Sequence, residues 1–327
     1  MHPSNNIQRV AGMSIKSGRG DDVAFSLLEN LGNNRWFLTN LLKPSNEDGE
    51  NIDRAFLEWP KKMNVNHLIL DVPLSRPPCH SCLLKCPGIA LCPVEEVLTV
   101  KDQSLKILKS DQDLLLQGRK SYEERRVDNN QLSSLDMDFF APKNSKVMGI
   151  KQSNEALLSK SYKRRLKKDF LPYWNRPLDF WVWQNYYDPL LNIFKFSYDS
   201  FGQTSFISYS RLNFLRKHLG EDIFLYESNI YIIFLEMLRS NVINLSDLES
   251  TTDYIVGPES KLNLIKKIED QMGIFVYDQD LDMIIKDAKS FQSFILSCAG
   301  VALAKGTIRI LPKWCSPNQS KFIAPLY

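Results

Sequence analysis

The segment His67-Leu68-Ile69-Leu70-Asp71-Val72-Pro73 has the pattern of a buried strand that ends in a single carboxylate. A short apolar run that is bounded by turn residues is typical of a strand inside a sheet. Such a strand delivers Asp71 to the carboxyl-terminal edge of that sheet. Four cysteines follow closely along the chain, and they are Cys79, Cys82, Cys86 and Cys92.

The residues before this segment predict three more strands and a helix. Short apolar runs over 9–15, 23–29 and 35–42 are separated by turns rich in Gly, Asn and Asp, which is typical of an antiparallel meander. Residues 51–63 carry apolar side chains at helical spacing. The first seventy residues therefore predict the order β-β-β-α-β.

The rest of the chain predicts a polar insertion followed by a mainly helical half. Residues 97–138 are polar and charged, and we expect an insertion there that is partly helical or mobile. A strand over 223–226 delivers Glu227. Helices are predicted over 153–168, 179–196, 211–219 with Gly220 as the C-cap, 230–239 and 261–272 ended by Gly273, and the stretch 281–305 is predicted to be mainly helical.

Composition limits the class of protein. The 327 residues are 43% hydrophobic, which is enough for a sizeable core, and the net charge of +3 gives no strong overall basic field. No run approaches the roughly 18 apolar residues that span a membrane, and residues 1–9 lack the apolar core of a secretory signal. We therefore expect a cytoplasmic protein with no membrane partner, in a reducing compartment where clustered thiols favour a metal over disulfides.

The cysteine cluster has the spacing C-x2-C-x3-C-x5-C. Its first pair resembles half of a zinc knuckle, and His80 is able to replace one of the cysteines as a ligand. A structural zinc ion, an iron–sulfur cluster and unliganded thiols all remain open, since iron–sulfur clusters also use four cysteines. Four thiolate ligands leave no open coordination position, so the metal would be structural.

The strand-end carboxylates are the strongest catalytic candidates. Asp71 and Glu227 both end predicted strands, and two such carboxylates on one edge of a sheet can hold Mg²⁺ ions. The alternative is that Asp71 caps a turn or pairs with Arg76. In the segment before an aromatic helix, Arg176 is placed either to hold a phosphate or to position Asp179. A surface salt bridge between these two is the simpler interpretation.

A basic stretch over 160–168 precedes several Trp and Tyr residues. Cations next to aromatic side chains can follow a phosphate backbone and stack on bases. The alternative is a solvated helix face beside an aromatic core. The candidate nucleic-acid contacts are Lys163, Arg164, Arg165 and Lys167.

The order of these motifs resembles the RNase H-like superfamily, and within it a family of predicted nucleases that was long of unknown function. That family has a Gly-hydrophobic-Asp motif on its first strand, which falls on Gly12-Met13-Ser14, and an Asp-hydrophobic-Pro-Leu motif, which falls on 71–74. A Pro-Pro stretch follows at 77–78. The family's Arg-x-x-Asp pattern falls on Arg176 and Asp179, its strand-end Glu on Glu227, and its closing-helix Asp-Ala pair on Gln292-Ser293.

Two departures from the family pattern concern the metal site. Ser14 replaces the first-strand carboxylate, and Gln292 replaces the one on the closing helix. An RNase H-like centre uses several carboxylates to bind two metal ions. The nearby carboxylates that are candidates to compensate are Asp21, Asp22 and Asp287.

The sequence therefore predicts an α/β protein with an RNase H-like mixed sheet flanked by helices and a small Cys-rich metal-binding insertion. We expect a first half of the core over 1–75, the insertion over 76–145 and the second half over 146–327. The resemblance implies a Mg²⁺-dependent nuclease or phosphodiesterase with Asp71, Glu227, Arg176 and Asp179 in its site. The alternatives are a non-catalytic protein that binds nucleic acid or a protein partner, and an iron–sulfur protein.

Overall fold

The computed structural model describes residues 7–16, 22–44, 52–118, 121, 124, 158, 160, 163–164, 171–194, 206–251, 255–315 and 321–327. These residues divide into two compact units. Unit 1 is built from the described parts of 1–74, 205–310 and 320–327, and unit 2 from those of 75–204 and 311–319.

Within the described residues, unit 1 contains a mixed sheet of six strands in the spatial order β5-β4-β1-β2-β3-β6. Strands β1 to β3 pair antiparallel, β4 and β5 extend the sheet in parallel on one side, and β6 pairs in parallel with β3. The strands are β1 (Arg9–Lys16), β2 (Asp22–Asn30), β3 (Trp36–Leu42), β4 (His67–Leu70), β5 (Phe224–Glu227) and β6 (Ile274–Phe275).

Helices α2 to α4 belong to unit 2 and the other helices to unit 1. Along the chain the helices are α1 (Ile52–Lys62), α2 (Pro78–Ser81), α3 (Glu95–Leu116), α4 (Pro177–Phe194), α5 (Phe206–Arg216), α6 (Ile230–Arg239), α7 (Leu245–Ser250), α8 (Gly257–Met272), α9 (Asp278–Lys286) and α10 (Ala288–Lys305).

Helix α10 packs unusually close to β1. A Cβ atom placed on Gly12 of β1 would lie 2.0 Å from the carbonyl oxygen of Ser293 and 2.4 Å from the backbone nitrogen of Ser297. The same carbonyl of Ser293 accepts a hydrogen bond from the Ser26 hydroxyl of β2 at 2.7 Å. Gly12 therefore sets how closely the middle of α10 packs on the middle of β1.

An apolar cluster on β1, β2 and β4 packs with helix α1. Phe56 and Trp59 of α1 are buried there, and the rings of Trp59 and Phe25 have centroids 4.9 Å apart. The indole N–H of Trp59 donates a hydrogen bond to the side-chain oxygen of Asn40 at 3.0 Å. This apolar packing accounts for the helical spacing of apolar residues that the sequence shows over α1.

Unit 2 is held by contacts between its helices. Helices α3 and α4 pack against each other, and Gln184 donates a hydrogen bond to the side-chain oxygen of Gln103 at 2.8 Å. Short helix α2 lies against a 3-10 turn over Leu171–Tyr173. A further 3-10 turn over Ile89–Leu91 separates the third and fourth cysteines.

Most predicted elements are confirmed. The first seventy residues have the order β-β-β-α-β. The fold is α/β, with a mixed sheet flanked by helices. Helix α6 spans the predicted 230–239, with Asn229 as a side-chain cap that accepts from two backbone N–H groups. Helix α8 ends at Gly273 in the left-handed region, at φ 69°.

One helix boundary was predicted wrongly. Helix α5 ends at Arg216, so Gly220 is not its C-cap. The mainly helical stretch predicted over 281–305 is confirmed, and it belongs to two helices, because the Asp287 side chain accepts a hydrogen bond from the Ser290 N–H at 2.7 Å and starts α10 anew. Most of the predicted helix over 153–168 lies outside the described residues.

In the part of the chain that is described, every helix is too short or too polar to cross a membrane.

Candidate functional site

Asp71 and Glu227 are neighbours at one edge of the sheet of unit 1. Strands β4 and β5 run parallel with Leu70 opposite Glu227, so Asp71 leaves the sheet beside Glu227. The Glu227 carboxylate is buried and accepts a hydrogen bond from the Leu74 N–H at 2.8 Å. The Asp71 carboxylate accepts one from the N–H of Ile230, the first residue of α6.

Burial makes the Asp71 carboxyl group a weak acid. It raises the pKa from 3.8 to about 7, and the negative charge of Glu227 adds to the rise. The Lys289 ammonium and the Ile230 N–H lower the pKa without restoring the usual value. At neutral pH the group is therefore close to half-protonated.

Replacing Asp71 with asparagine tests this shift. A folded-state pKa above the unfolded value means that the folded state binds the proton more tightly, so stability falls as the pH rises from about 4 to about 7. Over that window we expect the wild type to lose about 2–4 kcal/mol relative to Asp71→Asn. Urea unfolding at several pH values measures the difference. Glu58→Gln, at an exposed position of α1, is the matched control, and parallel profiles for all three proteins would contradict the shift.

Lys289 completes the cluster at this edge, and the sequence motifs did not predict it. Its ammonium donates hydrogen bonds to the Ser14 hydroxyl at 3.1 Å and to the Gln292 side-chain oxygen at 2.8 Å. The Ser14 hydroxyl also donates to that oxygen, at 2.8 Å. Lys289 lies three residues before Gln292 on α10, and helix periodicity from Gln292 was a signal that could have found it.

Asp287 is the candidate substitute for the missing carboxylates whose side chain the structure describes, and its carboxylate has other partners. It caps the start of α10 and pairs with Lys43. Burial raises its pKa, but the hydrogen bonds from Lys43 and Ser290 outweigh that effect and the pKa is lowered. Asp21 and the side chain of Asp22 lie outside the described residues.

Arg176 and Asp179 form a buried pair at the start of α4 in unit 2. The Asp179 carboxylate accepts from the Arg176 backbone N–H at 2.7 Å and from the guanidinium at 2.8 Å. The guanidinium also donates to the Ser75 hydroxyl at 3.3 Å. Of the two predicted roles, this geometry matches the positioning of Asp179, and the salt bridge is buried rather than on the surface.

The four clustered cysteines of unit 2 are close in space. Burial raises the pKa of the Cys79 thiol to about 11, and the nearby Cys92, Cys82 and Cys86 add to the rise. Tyr173 lies beside this cluster. The largest cause of its raised pKa is Cys86, which is also hydrogen-bonded to it. All four cysteines are free thiols. Across the described ranges, no set of three or more His, Cys, Asp or Glu side chains stands in metal-ligating geometry.

Only part of the basic stretch can be located. Lys163 pairs with the fully buried carboxylate of Asp111 on α3, at 2.6 Å, and Arg164 is exposed. Asp111 also accepts a hydrogen bond from the Leu158 N–H. Arg165 and Lys167 lie outside the described residues. Lys163 therefore has a structural partner inside unit 2.

Replacing Lys163 with alanine is expected to lower the stability of the protein. The buried Asp111 carboxylate would lose its cation, which costs about 1–3 kcal/mol for a pair that is not fully shielded from water. Chemical unfolding of Lys163→Ala against Lys160→Ala, at an exposed position nearby, measures the effect. Equal stability of the two variants would show that Asp111 does not depend on Lys163.

Comparison of the chain with protein-family models, with curated proteins and with solved structures finds no match in any of the three.

Proposed function

We propose that the protein is an RNase H-like protein that binds nucleic acid and does not cleave it by a two-metal mechanism. The element order of unit 1 supports the RNase H-like assignment, because β-β-β-α-β is followed, beyond unit 2, by a helix, strand β5 and further helices. The meeting of Asp71 and Glu227 at one sheet edge supports it as well. Both carboxylates occupy the positions that the resemblance assigns to its site.

One observation carries the non-catalytic part of the proposal. At the two positions where the resemblance expects further carboxylates, the Ser14 hydroxyl and the Gln292 amide hydrogen-bond to each other at 2.8 Å. A two-metal centre needs several anionic oxygens to balance the charge of its ions. A hydroxyl and an amide are neutral, so these residues do not fit a pair of Mg²⁺ ions.

Exposed cationic and aromatic side chains in unit 2 support nucleic-acid binding. Lys160 and Arg164 are both exposed, and Trp174 exposes half of its surface. Exposed cations attract phosphates, and an indole ring can stack on a base without reading its identity. We therefore expect salt-sensitive binding with little sequence preference.

A binding titration tests the proposed function. The affinity for a labelled single-stranded oligonucleotide is measured by fluorescence anisotropy at several salt concentrations. We expect the double variant Lys160→Ala/Arg164→Ala to weaken binding and to reduce the log–log salt slope by about 0.7 per lost phosphate contact. Lys61→Ala/Lys62→Ala removes the same charge from exposed positions on α1 and should leave binding unchanged.

Two outcomes would reject this proposal. Wild-type protein without affinity for single- or double-stranded DNA or RNA would favour the protein-partner alternative. Equal losses in both double variants would show that binding follows overall charge rather than the surface of unit 2.

A second candidate function, a metal-dependent nuclease, is favoured by the position of Asp71 beside Glu227 at one sheet edge. It predicts cleavage that requires Mg²⁺ or Mn²⁺ and is lost in Asp71→Asn. The same oligonucleotides, incubated with each metal and run on a denaturing gel, decide between the candidates. Cleavage by the wild type and not by Asp71→Asn would replace the non-catalytic proposal.

We further propose that the four clustered cysteines hold a structural zinc ion. Cys82, Cys86 and Cys92 all lie near enough to Cys79 to raise the pKa of its thiol, and Cys82 and Cys92 each follow a short helical turn with extended backbone, which suits ligands at a compact knuckle. Thiolate ligands are available in a reducing compartment, so a cytoplasmic location is part of this proposal. An iron–sulfur cluster on the same thiols is the alternative, and elemental analysis with a visible spectrum distinguishes it from zinc.

A further inference from the structure

A lysine ammonium lies where the RNase H-like resemblance places divalent cations. Lys289 is in the first turn of α10, and its ammonium donates to Ser14 and to Gln292, the two residues that replace the family's carboxylates. Its positive charge also acts on the Asp71 carboxylate at the end of β4. One ammonium thus contacts or attracts groups from β1, β4 and α10.

The Ser14 and Gln292 oxygen atoms suit an ammonium group better than a metal ion. An ammonium has three N–H donors and needs neutral or anionic acceptors, which the Ser14 hydroxyl and the Gln292 carbonyl oxygen provide. A divalent ion at the same place would meet a neutral hydroxyl and a neutral amide, and it would be repelled by the fixed charge of Lys289. The change of two carboxylates to neutral groups and the presence of a lysine both make this position more positive, and together they offset the positive charge that divalent ions would bring.

We propose that the Lys289 ammonium is a built-in cation that takes the place of a divalent metal ion beside Asp71 and Glu227. This inference rests on the proposed RNase H-like assignment and deepens it. In this arrangement the ammonium supplies, at the same sheet edge, positive charge that a divalent ion would otherwise supply to Asp71 and Glu227. Removing Lys289 should expose a site of two carboxylates that an added metal ion can neutralise.

Rescue by Mn²⁺ tests the inference on the full-length protein. Lys289→Met removes the charge and keeps much of the aliphatic stem, whereas Lys289→Arg keeps a cation. We expect Mn²⁺ at about ten times its Kd to raise the Tm of Lys289→Met by about 2–5 °C. Wild type and Lys289→Arg should not respond. The double variant Asp71→Asn/Lys289→Met should also fail to respond, which would assign the effect to this sheet edge.

A second variant strengthens the metal site. Ser14→Asp/Lys289→Ala/Gln292→Asp restores the carboxylates that the resemblance expects, and we expect it to bind Mn²⁺ at least about tenfold more tightly than Lys289→Met, since two added anions attract the ion. Titration calorimetry measures both affinities.

Two results would overturn the inference. One is a Lys289→Met variant that folds and is indifferent to Mn²⁺. The other is Mn²⁺ binding by the wild type that is lost in Asp71→Asn, a measurement that needs no Lys289 variant to fold. Neither uses nucleic acid. A protein that fails to bind oligonucleotides but passes the Mn²⁺ tests would reject only the proposed function.

Discussion

Replacing Gly12 with alanine is expected to destabilise the protein more than the same change at any other described glycine of unit 1. The new Cβ atom would lie 2.0 Å from the Ser293 carbonyl oxygen and 2.4 Å from the Ser297 nitrogen, both of them backbone atoms of α10. A side chain could rotate away, but a helix backbone has to shift as a whole. We expect a loss of more than about 3 kcal/mol in the free energy of unfolding, at the upper end of overpacking effects.

Chemical unfolding measures this loss, and Gly220→Ala is the matched control. A Cβ atom on Gly220 meets only the Asp222 side chain, at 3.2 Å, which can move. A Gly12→Ala protein as stable as Gly220→Ala would mean that α10 lies farther from β1 than described. In the folded fraction of Gly12→Ala, displacement of α10 should also weaken the contact of Lys289 with Ser14.

Loss of the zinc ion that we propose for the cysteine cluster is expected to have the second large effect. Structural zinc ions contribute about 10–16 kcal/mol of binding free energy in small peptides, and that energy is coupled to folding. We expect Cys79→Ser and Cys92→Ser to hold less than one zinc per chain and to lose more than about 3 kcal/mol of stability. Hydrogen exchange should become fast over 78–92 in both variants.

Elemental analysis and a visible spectrum of protein purified without oxygen are the measurements. Cys315→Ser, at a buried cysteine outside the cluster, is the control and should keep its zinc. One zinc with no colour would support the proposal. Iron with sulfide and visible absorbance would replace it with the iron–sulfur alternative, and wild-type protein without metal would reject both.

The carboxylate pair could be predicted from sequence because it depends on local patterns and one general rule. In the sequence, β4 and β5 are each an apolar run that is followed or ended by a carboxylate. Parallel neighbouring strands bring their carboxyl ends to the same edge of a sheet. The end of α8 at Gly273 could be predicted equally well, since capping acts over a few residues. These predictions needed no knowledge of distant contacts beyond the pairing of β4 with β5.

Lys289 could not be predicted in the same way because its role depends on the close approach of two distant elements. Only the packing of α10 on Gly12 brings its ammonium to Ser14, and Ser14 and Lys289 are 275 residues apart in the chain. The position of the break at Asp287, inside the stretch 281–305 that was predicted to be mainly helical, was not predicted, because a single capping side chain sets it.

The pairing of β4 with β5 has a consequence for how the protein is made. The hydrogen bond between Leu74 and Glu227 joins residues 153 positions apart, and the parallel pairing beside it closes a similar span. On the ribosome, β4 emerges long before β5, so its outer edge waits unpaired while the intervening chain is synthesised. Such long-range closure favours slow folding and leaves the β4 edge exposed to pairing with other chains until β5 has been made.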